Sequence, residues 1–156
     1  MMALVVRIVR GVGDHFTARA SEWALGAILI GWGYILSLPR ETFHDETFEM
    51  MARLAPEWLW ALAAILAGTF RILALLVNGT FQDTGYSRWS PHVRAGMALV
   101  SCFFWLQIAL SFLVGNPTGQ GLAVYPILLA LDFFNAYRAS RDAWLSDEGM
   151  RNGRRR

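Results

Sequence analysis

Two charged residues lie inside apolar runs, where a charge is costly and therefore informative. Arg71 interrupts WLWALAAILAGTFRILALLVN (58–78), and Asp132 interrupts GLAVYPILLALDFFNAY (121–137). An isolated charge at mid-membrane costs at least about 2.5–3.5 kcal/mol on insertion scales, and an opposite partner relieves part of that. Arg71 with Asp132 is thus the first chemical constellation in the chain. Tyr125, Asn135 and Asn78 are its polar neighbours by helical phase. Such a set can do two things: pass a proton or ion, or clamp two helices in register. The clamp is the better fit, because arginine does not release its proton and no second titratable group follows along the path.

Other constellations carry less. His44, Asp45 and Glu49 are metal-ligating residue types, yet their spacing gives neither H-x-x-E nor H-x-x-x-H, and no metal site is expected. His15, His44 and His92 fall in three separate segments. There is no G-x-S-x-G, no H-E-x-x-H and no glycine-rich nucleotide loop, and GNPTGQG (115–121) lacks the lysine of a phosphate-binding loop. Neither an enzyme nor a cofactor is expected. Cys102 is the sole cysteine, which excludes internal disulfides and cysteine-based metal sites.

The elements that must position Arg71 and Asp132 follow from hydropathy. Hydrophobic residues make up 55% of the 156 and charged ones 17%, below the ~25% of soluble domains. The apolar residues come in blocks. The predicted class is all-α: a polytopic membrane protein, a single domain forming a four-transmembrane-helix bundle. Its spans are about 23–38, 58–77, 95–114 and 121–137. In the second span Ala61, Ala63, Ala64, Ala67, Gly68 and Ala74 share the side of Arg71, with Trp60 and Leu75 the large members there. Leu62, Ile65, Leu66, Phe70, Leu73, Leu76 and Val77 lie opposite. A small-residue stripe is what a span turns toward other helices. In the first span Ala27 and Gly31 have the same small-xxx-small spacing. In the third, Gln107 and Ser111 stand one turn apart, placed to bond a neighbouring helix. In the fourth, Gly121, Tyr125, Leu128, Asn135 and Ala136 share the face of Asp132.

Two amphipathic helices are expected at the membrane surface, over 4–16 and 42–55. In the second, Thr42 with Asp45 suits a capping box, and Glu49 with Arg53 an i,i+4 pair. Phe43, Phe48, Met50, Met51 and Leu54 form its apolar side, toward which His44 also points. Residues 78–94 read as a loop rich in turn formers. The basic tail, 138–156, is expected to be helical to about Ser146. Arg7 and Arg10 interrupt the first apolar run, so no cleavable signal peptide is expected.

Orientation follows from arginine, since all 14 basic residues are arginine. With the N-terminus inside, Arg7, Arg10, Arg19, Arg88, Arg94 and six tail arginines are cytoplasmic. Arg40 and Arg53 alone face out, among Glu41, Asp45, Glu46, Glu49 and Glu57. The positive-inside rule selects N-in and C-in. Trp23, Trp58, Trp60, Trp89 and Trp144 near span ends suit an interfacial belt. Spans two and four then run parallel, and Arg71 and Asp132 both sit about 8–9 Å inside the cytoplasmic boundary.

Several short motifs are familiar: Asn78-Gly79, Ser90-Pro91-x-x-Arg94, Trp105-x-Gln107, Gly121-Leu-Ala-Val-Tyr125-Pro126, Asn135-x-Tyr137-Arg138 and Arg141-Asp142-Ala143. Over residues 58 to 143 the chain resembles small multi-span inner-membrane proteins encoded in proteobacterial phages and prophages. The resemblance implies a bacterial inner-membrane location and a phage-associated role; it implies no catalytic residue. The expected function is a non-catalytic interaction or scaffold protein, with a holin-type pore or small channel as the alternative. Expected partners are the bilayer, anionic lipids at the cytoplasmic face, and a second copy or another membrane protein. A net charge of only +2 gives no reason to expect nucleic acid.

Overall fold

Proline and glycine set most of the helix ends in the computed structural model, which describes residues 16–39, 42–80, 85–115 and 119–153. The chain is all-helical there, with no strand. A single 3-10 turn, Thr17–Arg19, leads into α1, Ala20–Leu36. This helix closes with the Ser37 amide on Gly33 O at 3.1 Å and the Ser37 hydroxyl on Tyr34 O at 2.7 Å. Two more 3-10 turns, Thr42–His44 and Glu46–Phe48, precede a short α2, Glu49–Leu54. Ala55 is extended, as the residue before a proline prefers. The carbonyl of Pro56 then accepts from Leu59 N and Trp60 N and opens α3, Glu57–Thr80. Two long helices follow, α4 at Gly85–Gly115 and α5 at Gly121–Gly153. Pro91 and Pro126 lie within the first two turns of their helices, so each removes only one backbone bond.

Close packing joins α1 to α3, α3 to α4, and α4 to α5, while α5 touches α1 more lightly. The four long helices thus close into a ring. At the α1–α3 seam the backbones approach closely. A Cβ on Gly33 would stand 2.8 Å from Ala61 O, and one on Gly68 would stand 2.7 Å from Gly26 O. The small residues of α1 that make this seam are Gly26 and Gly33. Ala27 and Gly31 are exposed, and a Cβ on Gly31 would meet nothing within 4 Å. The spacing was informative but its phase was not: Leu25, Leu29 and Leu36 are buried with Gly26 and Gly33 and set the inward face.

The face expected for 58–78 is the face that α3 turns inward. Trp60, Ala61, Ala64, Ala67, Arg71, Ala74 and Leu75 are buried, and Leu62, Leu66, Phe70 and Leu73 are exposed. The ring centre is filled by Leu29, Phe104, Trp105 and Ile108 together with the α3 alanines. Large apolar side chains also stand outward on all four long helices, among them Ile28, Leu66, Phe70, Phe103, Leu106, Ile127, Phe133 and Phe134. Buried charge inside and apolar surface outside invert the usual arrangement of a water-soluble domain. Two stretches, Glu57–Val77 and Trp89–Gly115, are long and apolar enough to cross a membrane.

Several expectations are corrected. Residues 42–55 do not form one helix. Asp45 has extended backbone and its carboxylate accepts from the Thr47 amide at 2.8 Å, so it starts a new turn and does not complete a box with Thr42. The amides of Thr42 and Phe43 donate instead to Glu57, at 3.2 Å each. The segment caps the bundle: Met51 is fully buried, and Phe48 meets Phe112 edge-on. Leu54 and His44 stand exposed. The stretch 85–94 is helical and extends α4 by more than two turns. The tail helix runs past Ser146 to Gly153, and its buried face continues through Ala139 and Ala143. Trp60 is buried, with Nε1 donating to Met51 O at 3.1 Å, and so leaves the interfacial set. The Glu49–Arg53 pair closes at 2.6 Å on the surface. The expected helix over 4–16 lies outside the described residues save for Phe16. So do the side chains of Asn78, Arg88 and the arginines from Arg151 onward.

Candidate functional site

Two buried ion pairs lie inside the ring, and each bridges helices that are not packing neighbours. Arg71 on α3 reaches Asp132 on α5, Nη1 to Oδ1 at 2.5 Å, and both side chains are fully buried. The guanidinium and the carboxylate face each other as a buried ion pair. The other carboxylate oxygen is well held. Ser101 Oγ donates to Asp132 Oδ2, and Trp105 Nε1 donates to it at 2.8 Å.

The second pair was not foreseen. Glu22 in the first turn of α1 and Arg94 on α4 are both 1% exposed and bind bidentately, with Nε–Oε2 at 2.7 Å and Nη2–Oε1 at 2.6 Å. This is the strong, geometrically specific form of the interaction. Asp142 on α5 extends it: Oδ2 accepts from both Arg94 Nη1 and Arg19 Nη2, each at 3.2 Å. Burial, then the charge of Arg94, hold the Arg19 guanidinium below its ordinary pKa, while Glu22 and Asp142 oppose the shift. Asp45, at the far end and exposed, has its carboxyl lowered by its bonds to Thr47. Arg94, expected in a cytoplasmic loop, is therefore an internal charge, and Arg19 is largely one as well.

Between the two pairs Ser21 Oγ donates to Asn135 Oδ1 at 2.8 Å. From the Asp142 end inward the interior thus reads Arg19, Asp142, Arg94 and Glu22, then Ser21 and Asn135, then Arg71, Asp132 and Ser101. Beyond these come Trp105, Phe104, Ile108 and Leu29, which form an apolar plug. Of the residues singled out from sequence, Arg71 and Asp132 meet. Asn135 lies one turn from Asp132 and is engaged by α1. Tyr125 lies two turns away, stacked on Trp105 at 6.2 Å and against Phe112 at 5.4 Å, among aromatics and away from the pair. Ser111 Oγ is buried with no hydrogen-bond partner among the described residues, so the expected bond to a neighbouring helix is not made.

Helical phase carries a signal for the missed residues. Glu22 is in register with Leu25, Leu29, Gly33 and Leu36, and Arg94 with Ala98, Ser101, Trp105 and Ile108. A charge in phase with a buried stripe belongs to the interior even at the end of the apolar run. His92 Nε2 stands 3.3 Å from Asp147 Oδ2 on the surface. Among the described residues no three or more His, Cys, Asp or Glu gather where a metal ion could be held. Two surface grooves of about 600 and 560 Å³ lie at the opposite end from Asp142, one beside Leu36, Pro39 and Trp58 and one beside Glu46, Ser111 and Gly115. Compared with protein families, with curated proteins and with solved structures, this chain matches none.

Proposed function

We propose that this chain is a four-span integral membrane protein acting as a non-catalytic interaction or scaffold module, with both termini on the cytoplasmic side. The carrying observation is the order of side chains along the ring interior. A polar column runs from Asp142 to Arg71 and stops at Trp105, Phe104 and Ile108. A conducting path needs polar lining or water throughout, and the plug supplies neither. The internal charges face one another, which suits a clamp better than a reactive cleft. Exposed apolar side chains on every long helix support burial in lipid, against a second copy, or against another membrane protein.

The Asp142 end of the bundle carries Arg138 and Arg141, suited to anionic headgroups, each contributing about 1 kcal/mol near a charged surface. With the arginine distribution, this supports the N-in, C-in orientation. The resemblance of residues 58 to 143 to phage-encoded inner-membrane proteins supports a bacterial inner membrane and a role in infection or lysogeny. The polar column is the one feature that favours the pore-forming alternative.

Expression in a bacterium loaded with a membrane-potential dye separates the two. The scaffold reading expects the potential to hold and co-expressed endolysin to remain without effect. Abrupt depolarisation followed by lysis would establish the pore former instead. Reporter fusions after residues 20, 46, 86, 118 and 150 should read inside, outside, inside, outside, inside.

A further inference from the structure

The seam between α1 and α5 is tied at one end and open along the rest. At the Asp142 end Arg19 meets Asp142, Ser21 meets Asn135, and Arg138 donates to the carbonyl of Ala18 at 2.7 Å. Positions seven apart on a helix return to nearly the same direction. On α1 the direction of Ser21 recurs at Ile28 and Ile35, which are 43% and 54% exposed. On α5 the direction of Arg138 recurs at Leu131 and Val124, which are 40% and 49% exposed. The stripes that meet at the tied end are therefore uncovered farther along. The seam widens away from Asp142 into a wedge with apolar walls, in keeping with the light packing of these two helices.

What lies beside the wedge specifies its occupant. Ile127 and Phe134 stand exposed on the same flank of α5. The Arg138 guanidinium lies over the Phe134 ring, 5.6 Å from its centre, and Arg141 is exposed one turn on. Apolar surface thus runs along α5 and ends at two guanidinium groups. Glu22 and Asp142 are taken up by Arg94 and Arg19, so among the described residues neither Arg138 nor Arg141 has a carboxylate partner. A guanidinium carries five N–H donors in a fork that fits phosphate, and Arg138 uses one of them on Ala18. The occupant must therefore be long and apolar over most of its length and anionic at one end. From Arg138 back to Ile127 the helix rises about 16 Å, close to half of a ~30 Å hydrocarbon core. That is the reach of one leaflet.

We propose that the α1–α5 seam seats one phospholipid of the cytoplasmic leaflet, its phosphodiester on Arg138 and Arg141 and an acyl chain in the wedge beside Ile28 and Leu131. This rests on the membrane orientation proposed above and deepens it: an attraction spread over the basic end becomes one site with a headgroup preference. A phospholipid of net negative charge is preferred over a zwitterionic one, whose ammonium would stand among arginines. The chain supplies α1 with the apolar neighbour that α5 does not provide beyond Asn135.

Lipid retention by the full chain in detergent, read by native mass spectrometry, is the test. The probes are phosphatidylglycerol and phosphatidylcholine with the same acyl chains. One phosphatidylglycerol per chain should be retained in preference. Arg138→Gln and Arg141→Gln should each lower its retention by roughly fivefold, and Arg53→Gln, at the opposite end, should change nothing. Leu131→Trp, which fills the wedge, should lower retention with both arginines in place. Equal retention of the two lipids, a preference that survives both arginine changes, or unchanged retention in Leu131→Trp overturns the proposal. So does an experimental density map with a helix of a second copy in the seam. Should a variant fail to fold, the comparison of the two lipids on the parent decides alone. Membranes washed in alkaline carbonate separate this failure from that of the membrane reading. A chain released by the wash overturns both, and a chain that stays without a lipid preference overturns the seat alone.

Discussion

Replacing Asp132 by alanine isolates what the central pair contributes. The change leaves the Arg71 guanidinium buried without its counter-charge and also strips the acceptor from Ser101 and Trp105. Two unit charges about 4 Å apart interact by about 4 kcal/mol at an effective dielectric of 20. Removing one partner of a buried pair typically costs about 3–5 kcal/mol. For a chain of this length each kcal/mol moves the melting temperature by about 2–4 °C, so Asp132→Ala should melt about 6–20 °C below the parent. Thermal unfolding in detergent, followed by circular dichroism, is the assay. Arg71→Met should fall by a similar amount. The double variant Arg71→Met with Asp132→Asn should return close to the parent, because no lone charge remains and the asparagine carbonyl still accepts from Trp105 and Ser101. The charge exchange Arg71→Asp with Asp132→Arg should fail. Sign and depth alone would allow it, but the donors on α4 would then face a guanidinium, which has no acceptor. Single variants melting with the parent would refute the reasoning and mean that solvent already satisfies whichever charge is left.

Two further outcomes follow from the packing. Gly68→Ala would push a Cβ to 2.7 Å from the Gly26 carbonyl, a backbone atom that cannot rotate away, and should cost about 1–3 kcal/mol; Gly31→Ala meets nothing within 4 Å and should gain up to about 1 kcal/mol of helix propensity. Equal melting temperatures for the two would show that α1 and α3 are not in close contact. Glu22→Gln keeps the volume but removes the charge opposite Arg94, and should cost less than Asp132→Ala, about 2–3 kcal/mol, because Asp142 still lies 3.2 Å from Arg94; a larger loss than Asp132→Ala would make the end pair, not the central one, the main clamp.

What could be read from the chain depended on whether a residue's phase was set by its own segment. In α3 the small and bulky residues separate within one helix, so its inward face followed without reference to any neighbour. Arg71 and Asp132 each stand alone in an apolar run, and their sign and depth point to one another. Glu22, Arg94 and Asp142 sit at the ends of such runs, where charges are ordinarily solvated, so of the ionic cluster they form with Arg19 the sequence singles out the two arginines alone, as orientation signal. The turn-rich sequence of 85–94 reads as a loop, because Ser90-Pro91 is a common turn pair. There the helix is carried by tertiary contacts, with Ser90 Oγ on Ala74 O at 2.6 Å and Arg94 locked to Glu22. Residues 42–55 failed for the same reason, since Glu57 takes the amides of Thr42 and Phe43 and Asp45 restarts the chain at Thr47. These errors share a consequence for how the ring is held. Neighbouring helices meet through small and apolar faces, which fix separation but do not by themselves specify register. The ion pairs cross the ring, α3 to α5 and α1 to α4, where those faces do not reach. A guanidinium set on one carboxylate cannot slide by a turn without leaving both charges unpaired. Separation is therefore set by glycine and alanine, and register by charge.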